Sequence, residues 1–175
     1  CEGLVGSEMC IRDSLYAGLM ITADGTPKVI EYNCRFGDPE TQPVLLRLKS
    51  DLVSHCMAAL NNSLNREKVE WETRKSLGVV MASGGYPGNY SNNLPILGLE
   101  DISSKYGHKV FHGGTKFADN RLVTNGGRVL CVTALGDSLE DAKTSAYELV
   151  SKISWENVQY RTDIGWRAIE KNREN

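Results

Sequence analysis

The sequence predicts an α+β protein in two parts, on the basis of three observations. Two short runs rich in β-branched and aromatic residues, at 16–22 and 28–34, are separated by a turn-forming segment. A stretch with apolar residues at three- and four-residue spacing follows at 43–60, as in an amphipathic helix. The rest of the chain holds several short β-type runs and then a second amphipathic helix at 139–153.

The two N-terminal strands are expected to form an antiparallel hairpin. Between them the chain reads ADGTP, in which Asp24, Gly25 and Pro27 are typical of tight turns. After the second strand, Asp38 and Pro39 predict a helix start, with a capping carboxylate ahead of a proline at the first helical position.

One continuous helix is predicted from Pro43 to about Leu60. Its apolar face consists of leucines and one cysteine: Leu45, Leu48, Leu52, Cys56 and Leu60. On this spacing Cys56 belongs to the core. His55 falls off the apolar face and is expected to be solvated.

The polar segment 61–75 is interpreted as the connection between the two parts. Beyond it, five strands are predicted, at 77–82, 109–111, 115–117, 121–124 and 128–135. Ser138 and Asp141 resemble the N-terminal cap of the helix that follows. Trp166 is expected to pack the end of the chain onto this part, and 171–175 to fray.

Composition excludes several classes of function. Charged residues make up 24% and hydrophobic residues 41%, as in ordinary globular proteins, and the net charge of −2 gives no reason to expect nucleic acid or an anionic membrane as partner. No apolar run approaches the roughly 18 residues that span a bilayer. The five cysteines are scattered and odd in number, which favours a reducing compartment such as the cytoplasm over a disulfide or metal framework.

The candidate site lies at the end of the second predicted strand. Because side chains alternate along a strand, Glu31, Asn33 and Arg35 are expected on one face. A carboxylate and an amide oxygen suit a hard divalent cation, and an arginine can hold phosphate or carboxylate in a bidentate fork. The Glu-x-Asn pattern by itself also occurs on solvated strand faces.

Two other patterns are given structural interpretations. The segment 83–90 reads SGGYPGNY, and its glycines could cradle a phosphate, but the spacing favours a tight connection between strands. His108 and His112 share a strand face and could chelate zinc, but no third ligand is evident from the spacing. They are interpreted as ordinary histidines.

The segment RFGDPETQ at 35–42 resembles the signature of the phosphoribosylamine–glycine ligase (glycinamide ribonucleotide synthetase) family of ATP-grasp enzymes. The similarity extends over 15–169. It includes LYAGLM at 15–20, GGYPG at 84–88, TNGGRVL at 124–130 and DIGWR at 163–167.

This resemblance implies a fold, a reaction and site residues. It implies that 15–65 is the C-terminal end of an ATP-grasp domain and that 76–170 is a small β-rich C-terminal domain with a helix, of the rudiment single hybrid motif type. The family's reaction joins glycine to 5-phosphoribosylamine with ATP, through a glycyl phosphate, giving glycinamide ribonucleotide, ADP and phosphate. Glu31 and Asn33 match the family's ligands for Mg²⁺ or Mn²⁺. Arg35 matches a catalytic arginine that contacts ATP phosphate or substrate carboxylate.

The chain also departs from the family pattern. The amine-binding N-terminal domain and the lysine-bearing, glycine-rich part that covers ATP have no counterpart in it. The first residue is Cys, and GSEMCIRDS at 6–14 resembles a translated adaptor sequence, so the segment 1–14 is interpreted as a non-native leader. Two hypotheses follow: a truncated ligase that needs the missing N-terminal part of the same enzyme, or a stand-alone C-terminal module that binds or scaffolds without catalysis.

Overall fold

A computed structural model describes residues 15–102 and 107–173 of the chain. The predicted leader at 1–14 lies outside this range. The chain divides into two compact units, the first made of 1–41 and 48–70 and the second of 42–47 and 71–175. Within the described residues, no helix is both long and apolar enough to cross a membrane.

The first unit begins with the predicted hairpin. Strands β1 (Tyr16–Ile21) and β2 (Pro27–Asn33) pair antiparallel, with a bulge between Gly18 and Leu19. In the turn, the Asp24 carboxylate accepts hydrogen bonds from the Thr26 N–H at 3.2 Å and the Thr26 hydroxyl at 3.0 Å. Gly25 adopts φ +82°, which favours glycine, so the turn chemistry predicted from the sequence is confirmed.

The prediction of one continuous helix over 43–60 is wrong. The structure has a short helix α1 (Thr41–Leu46) and a separate helix α2 (Leu52–Leu60), followed by a 3₁₀ turn at Leu64–Arg66. The chain leaves helical geometry between them because other hydrogen bonds compete for its backbone. The Lys49 N–H donates to the Glu70 carbonyl at 2.9 Å, and the Asp51 carboxylate caps α2 by accepting the Val53 N–H at 2.9 Å.

The predicted burial of α2 is also wrong. Its buried residues are His55 and Ala58, whereas Cys56 is exposed and Leu60 is 62% exposed. The face of helix α2 that packs against its own unit is therefore the one that carries His55 and Ala58, and not the one that carries the leucines. The contact of His55 with Ser50 explains this orientation. On α2 itself, Leu52, Cys56 and Leu60 of the predicted apolar face are therefore exposed.

The second unit is built on a three-stranded antiparallel sheet. Its order is β3 (Lys75–Ala82), β7 (Arg128–Gly136), β4 (His108–His112), so the last strand in sequence lies in the centre. Strands β5 (Thr115–Ala118) and β6 (Arg121–Thr124) form a separate hairpin. All five strands lie where the sequence predicts them, within one or two residues.

Helix α3 (Leu139–Val150) packs on this sheet. The capping box predicted at its start is present, because the Asp141 N–H donates to Ser138 Oγ at 3.0 Å and the Ser138 N–H donates to Asp141 Oδ2 at 3.1 Å. The core between sheet and helix includes side chains with no exposed surface, namely Val79, Met81, Val129, Val132, Ala142 and Ala146.

The C-terminal segment packs differently from the prediction. Helix α4 (Trp166–Arg173) buries Ile169, which is 7% exposed, while Trp166 remains 40% exposed beneath the Arg167 guanidinium. The segment expected to fray at 171–175 is helical up to Arg173, and 174–175 lie outside the described residues.

Candidate functional site

The hairpin brings Glu31 and Asn33 onto one face of β2, because the two residues are separated by a single position. In the register of the pair, Gly18 lies opposite Glu31 and Tyr16 lies opposite Asn33. A Cβ at Gly18 would approach Glu31 Cγ to 3.2 Å, so the glycine leaves room beside that side chain. Glu31 is exposed and Asn33 half-buried, which leaves their oxygens accessible to a ligand.

Arg35 does not share this face by strand alternation, so that part of the sequence argument is wrong. Strand β2 ends at Asn33, and Arg35 lies in the bend that follows. Its side chain is exposed, and Nη1 donates to the Phe36 carbonyl at 3.0 Å. The guanidinium has five N–H donors, so this contact still leaves capacity for an anion.

The signature segment after the bend folds back on itself. Gly37 is buried, and its carbonyl accepts the Thr41 N–H at 3.1 Å as well as the Thr41 hydroxyl. Helix α1 begins at Thr41, so the prediction that Pro39 is the first helical residue is wrong. Thr41 anchors the turn, and the Glu40 carboxylate packs directly over Gly37, where a Cβ would overlap its oxygen.

Two carboxylates influence one hydroxyl at this site. The Glu40 carboxylate, hydrogen-bonded to the Tyr16 hydroxyl, raises the pKa of that hydroxyl, and the nearby charge of Glu31 adds to the effect. The negative charges of Glu31 and Glu40 therefore both lie close enough to Tyr16 to influence its hydroxyl. A negative field with exposed oxygen donors suits a divalent cation.

The donor set fits Mg²⁺ or Mn²⁺ better than zinc. Glu31 and Asn33 offer oxygen only, and oxygen is the ligand that these hard cations prefer. Within residues 15–102 and 107–173, no cluster of three or more His, Cys, Asp or Glu residues has metal-binding geometry. A Mg²⁺ ion that keeps several water ligands needs only one or two ligands from the protein, so Glu31 and Asn33 are sufficient in number.

The glycine-rich loop of the second unit has a packing explanation. A Cβ at Gly84 would overlap Asn157, one at Gly85 would overlap the Asn89 carbonyl, and one at Gly127 would overlap the Tyr86 ring. These glycines allow close approach of neighbouring chain segments, as the sequence spacing favours. The histidines of β4 are at the strand ends, and His112 Nδ1 lies 3.2 Å from Thr115 Oγ1.

Two groups of residues were not identified from the sequence. The sequence gives no sign that Tyr16 is a neighbour of the site, because its position opposite Asn33 depends on the bulge at Ile30 of β2, which faces the step from Gly18 to Leu19. The contact between Ser50 and His55, in the first unit, links residues on either side of an unpredicted helix start. Neither arrangement has a recognisable sequence motif.

Comparison with known proteins relates both units to one family. Residues 76–167 match the sequence model described as phosphoribosylglycinamide synthetase, C domain. Residues 1–41 match that of the phosphoribosylglycinamide synthetase ATP-grasp (A) domain, and this match includes the segment 1–14. The interpretation of 1–14 as a non-native leader stays a prediction.

Individual relatives agree with these matches. The chain is 58% identical over 173 residues to phosphoribosylamine–glycine ligase of Escherichia coli K12, covering 98% of this chain and 40% of the relative. It is 55% identical over 160 residues to the ligase of Vibrio parahaemolyticus, covering 91% of this chain and 37% of the relative. A crystal structure of phosphoribosylamine–glycine ligase from Thermotoga maritima superposes with a TM-score of 0.73 at 36% identity, covering 85% of this chain and 36% of that one. The chain therefore spans about two fifths of the length of its curated relatives.

Proposed function

The chain belongs to the phosphoribosylglycinamide synthetase family, and from this premise we propose that it is the C-terminal part of an ATP-dependent phosphoribosylamine–glycine ligase of purine biosynthesis. The observation on which the proposal mainly rests is the Glu31–Asn33 pair on β2, followed by RFGDPETQ, in the unit related to the ATP-grasp domain. The extent of identity with curated ligases, 55% and 58%, supports the same reaction.

The proposed reaction has two steps. The glycine carboxylate attacks the γ-phosphate of ATP and ADP leaves, giving glycyl phosphate. The amine of 5-phosphoribosylamine then attacks the glycyl carbonyl, phosphate leaves, and the amine loses a proton to give glycinamide ribonucleotide. Negative charge on the phosphoryl oxygens must be offset in the first step, so positioning and electrostatic stabilisation provide most of the catalysis.

The residues of the site have distinct proposed roles. Glu31 and Asn33 would hold Mg²⁺ or Mn²⁺ through their oxygens, and the cation would offset phosphate charge when bound. Arg35 would bind a phosphate or the glycine carboxylate through its remaining guanidinium donors. The exposed position of Arg35, beyond the end of β2, supports contact with a substrate that approaches from outside the hairpin.

We infer the domain arrangement from two features. Residues 15–65 form the end of the ATP-grasp domain and 76–170 the C-terminal domain; the division between compact units near residue 70 supports this interpretation. The hairpin carries apolar side chains that are largely exposed, including Ile21, Ile30 and Tyr32 at 60%, 64% and 62%. These side chains suit contact with the part of the relatives' sequence that has no counterpart in this chain.

The proposed compartment is the cytoplasm. In the described part of the chain, the cysteine thiols of Cys34 and Cys56 are exposed and form no disulfide. Free thiols agree with the reducing environment predicted from the scattered cysteines.

A chimera tests the proposal directly. The portion of the Escherichia coli ligase that precedes the matched segment would be joined to this chain, and ADP release measured by a coupled assay with ATP, glycine and freshly generated 5-phosphoribosylamine. We expect ADP production that requires both glycine and the amine, and no such activity from the 175-residue chain alone. A folded chimera that releases ADP without a requirement for glycine would contradict the assignment.

A further inference from the structure

The Glu40 carboxylate occupies a defined position in the signature turn. It lies against the Cα of Gly37, where any β-carbon would overlap Oε1. Gly37 is buried and its carbonyl is held by the backbone N–H and hydroxyl of Thr41. The turn is thus closed on one side by Thr41 and on the other by Glu40, which fixes the direction in which Glu40 extends.

Tyr16 connects this turn to the hairpin. In the strand register Tyr16 lies directly opposite Asn33, the last residue of β2. The Tyr16 hydroxyl donates a hydrogen bond to the Glu40 carboxylate, and this contact with a negative charge raises the pKa of the hydroxyl. Both side chains are half-buried.

We propose that Tyr16 and Glu40 are positioning residues that brace the signature turn against β1 and thereby fix Asn33 as a cation ligand. The brace links the strand residue opposite Asn33 to the segment that follows it, so the chain is held on both sides of the ligand. This proposal rests on the proposed function, because it assigns a role in the cation site of that reaction. It identifies two side chains that act on the cation through Asn33.

Substitutions can distinguish a Glu40 that only positions Asn33 from a Glu40 that binds the cation itself. If Glu40 only accepts the Tyr16 hydroxyl, then Glu40→Gln retains an acceptor oxygen and should preserve part of the cation affinity. If Glu40 coordinates the cation directly, Glu40→Gln and Glu40→Ala should both weaken cation binding, and Tyr16→Phe should have no effect.

The experiment uses the chimera defined above and two readouts. Mn²⁺ binding is followed by electron paramagnetic resonance in the presence of β,γ-imido-ATP, and the half-saturating Mg²⁺ concentration is taken from ADP release. We expect Tyr16→Phe and Glu40→Ala to weaken Mn²⁺ binding about tenfold, the lower end of the range for residues that orient a metal ligand. Glu40→Gln should lose less affinity, and kcat at saturating Mg²⁺ should change little. Tyr160→Phe is the matched control, because Tyr160 is exposed and lies in the second unit, away from the hairpin.

The outcomes separate the brace from the proposed function. Unchanged Mn²⁺ affinity in folded Tyr16→Phe and Glu40→Ala variants, in a chimera that remains active, would overturn the brace. Loss of affinity in the Glu40→Gln and Glu40→Ala variants, with unchanged affinity in Tyr16→Phe, would overturn it in favour of direct coordination. An unsubstituted chimera that binds Mn²⁺ but shows no glycine-dependent ADP release would instead contradict the proposed function. Circular dichroism establishes that each variant is folded.

Discussion

The Ser50 hydroxyl lies 2.7 Å from Nε2 of the buried His55 imidazole, across the N-terminal end of α2. Ser50 Oγ also accepts the Glu70 N–H at 3.1 Å, so its own proton is available to His55. His55 Nδ1 is 3.9 Å from Glu67 Oε2, too far for a hydrogen bond. The serine therefore joins the start of α2 to the segment around Glu70.

Ser50→Ala should loosen this junction. The substitution leaves both the His55 ring and the Glu70 N–H without their partner, and we expect a loss of about 1 kcal/mol of local stability. Amide hydrogen exchange of Glu70 should accelerate roughly fivefold, because about 1.4 kcal/mol corresponds to a factor of ten. Ser54→Ala is the control, since Ser54 Oγ bonds only the exposed Asp51 carboxylate nearby. Equal exchange of Glu70 in both variants would contradict the prediction.

The cap of α3 predicts both a stability change and its dependence on pH. Ser138→Ala should lower the free energy of unfolding by about 1 kcal/mol at neutral pH, measured by urea unfolding. Hydrogen bonds from the Ser138 hydroxyl and then the Ser138 N–H lower the pKa of Asp141. A carboxyl whose pKa is lowered on folding stabilises the protein above its unfolded pKa, and this contribution disappears as the pH falls through the folded pKa.

The difference in free energy of unfolding between Ser138→Ala and the unsubstituted chain should therefore shrink when the pH falls below the range in which carboxyl groups ordinarily titrate. Thr144→Ala, on the exposed side of the same helix, is the control and should not destabilise, because alanine has the higher helix propensity. A difference that stays constant, or grows, on acidification would refute the role assigned to Asp141.

Limited proteolysis tests the proposed boundary. Arg66 and Lys68 are exposed in the segment 61–75, whereas Arg74 is half-buried in an ion pair with Glu72 at 2.9 Å. Trypsin should make its first cut between the two proposed domains after Arg66 or Lys68, as judged by the masses of the products. The paired substitution Arg66→Gln/Lys68→Gln should delay this cut. Earlier cleavage within 77–135 would show that the boundary is misplaced.

The sequence predicts the second unit better than the first, and the reason is physical. Strand alternation and the Ser138–Asp141 cap are local patterns, each carried by residues a few positions apart in the sequence. Around His55 the outcome depends on contacts with Ser50 and on the Lys49–Glu70 hydrogen bond, which helical spacing does not reveal. The single predicted helix was wrong for that reason.

The candidate site was also predicted in part. Alternation correctly places Glu31 and Asn33 on one face, but the strand ends before Arg35. The pairing of Leu19 with Val29, continued without a bulge, would put Tyr16 opposite Tyr32. The bulge after Gly18 shifts the register by one residue and brings Tyr16 opposite Asn33. Such a shift exchanges the strand faces and has no signal in a single sequence.

The last prediction concerns the cation site itself, in the same chimera. Glu31→Gln keeps the size of the side chain but removes its charge, and Asn33→Ala removes an oxygen ligand. Each should cost roughly 2–4 kcal/mol of transition-state stabilisation in kcat/KM, the scale of losing one preorganised electrostatic partner. The loss should diminish as Mg²⁺ is raised, because a weakened site still fills at high cation concentration. Glu148→Gln, on the exposed face of α3, is the matched control for removal of one carboxylate. Full kcat/KM at ordinary Mg²⁺ in either variant would show that these two residues do not bind the catalytic cation.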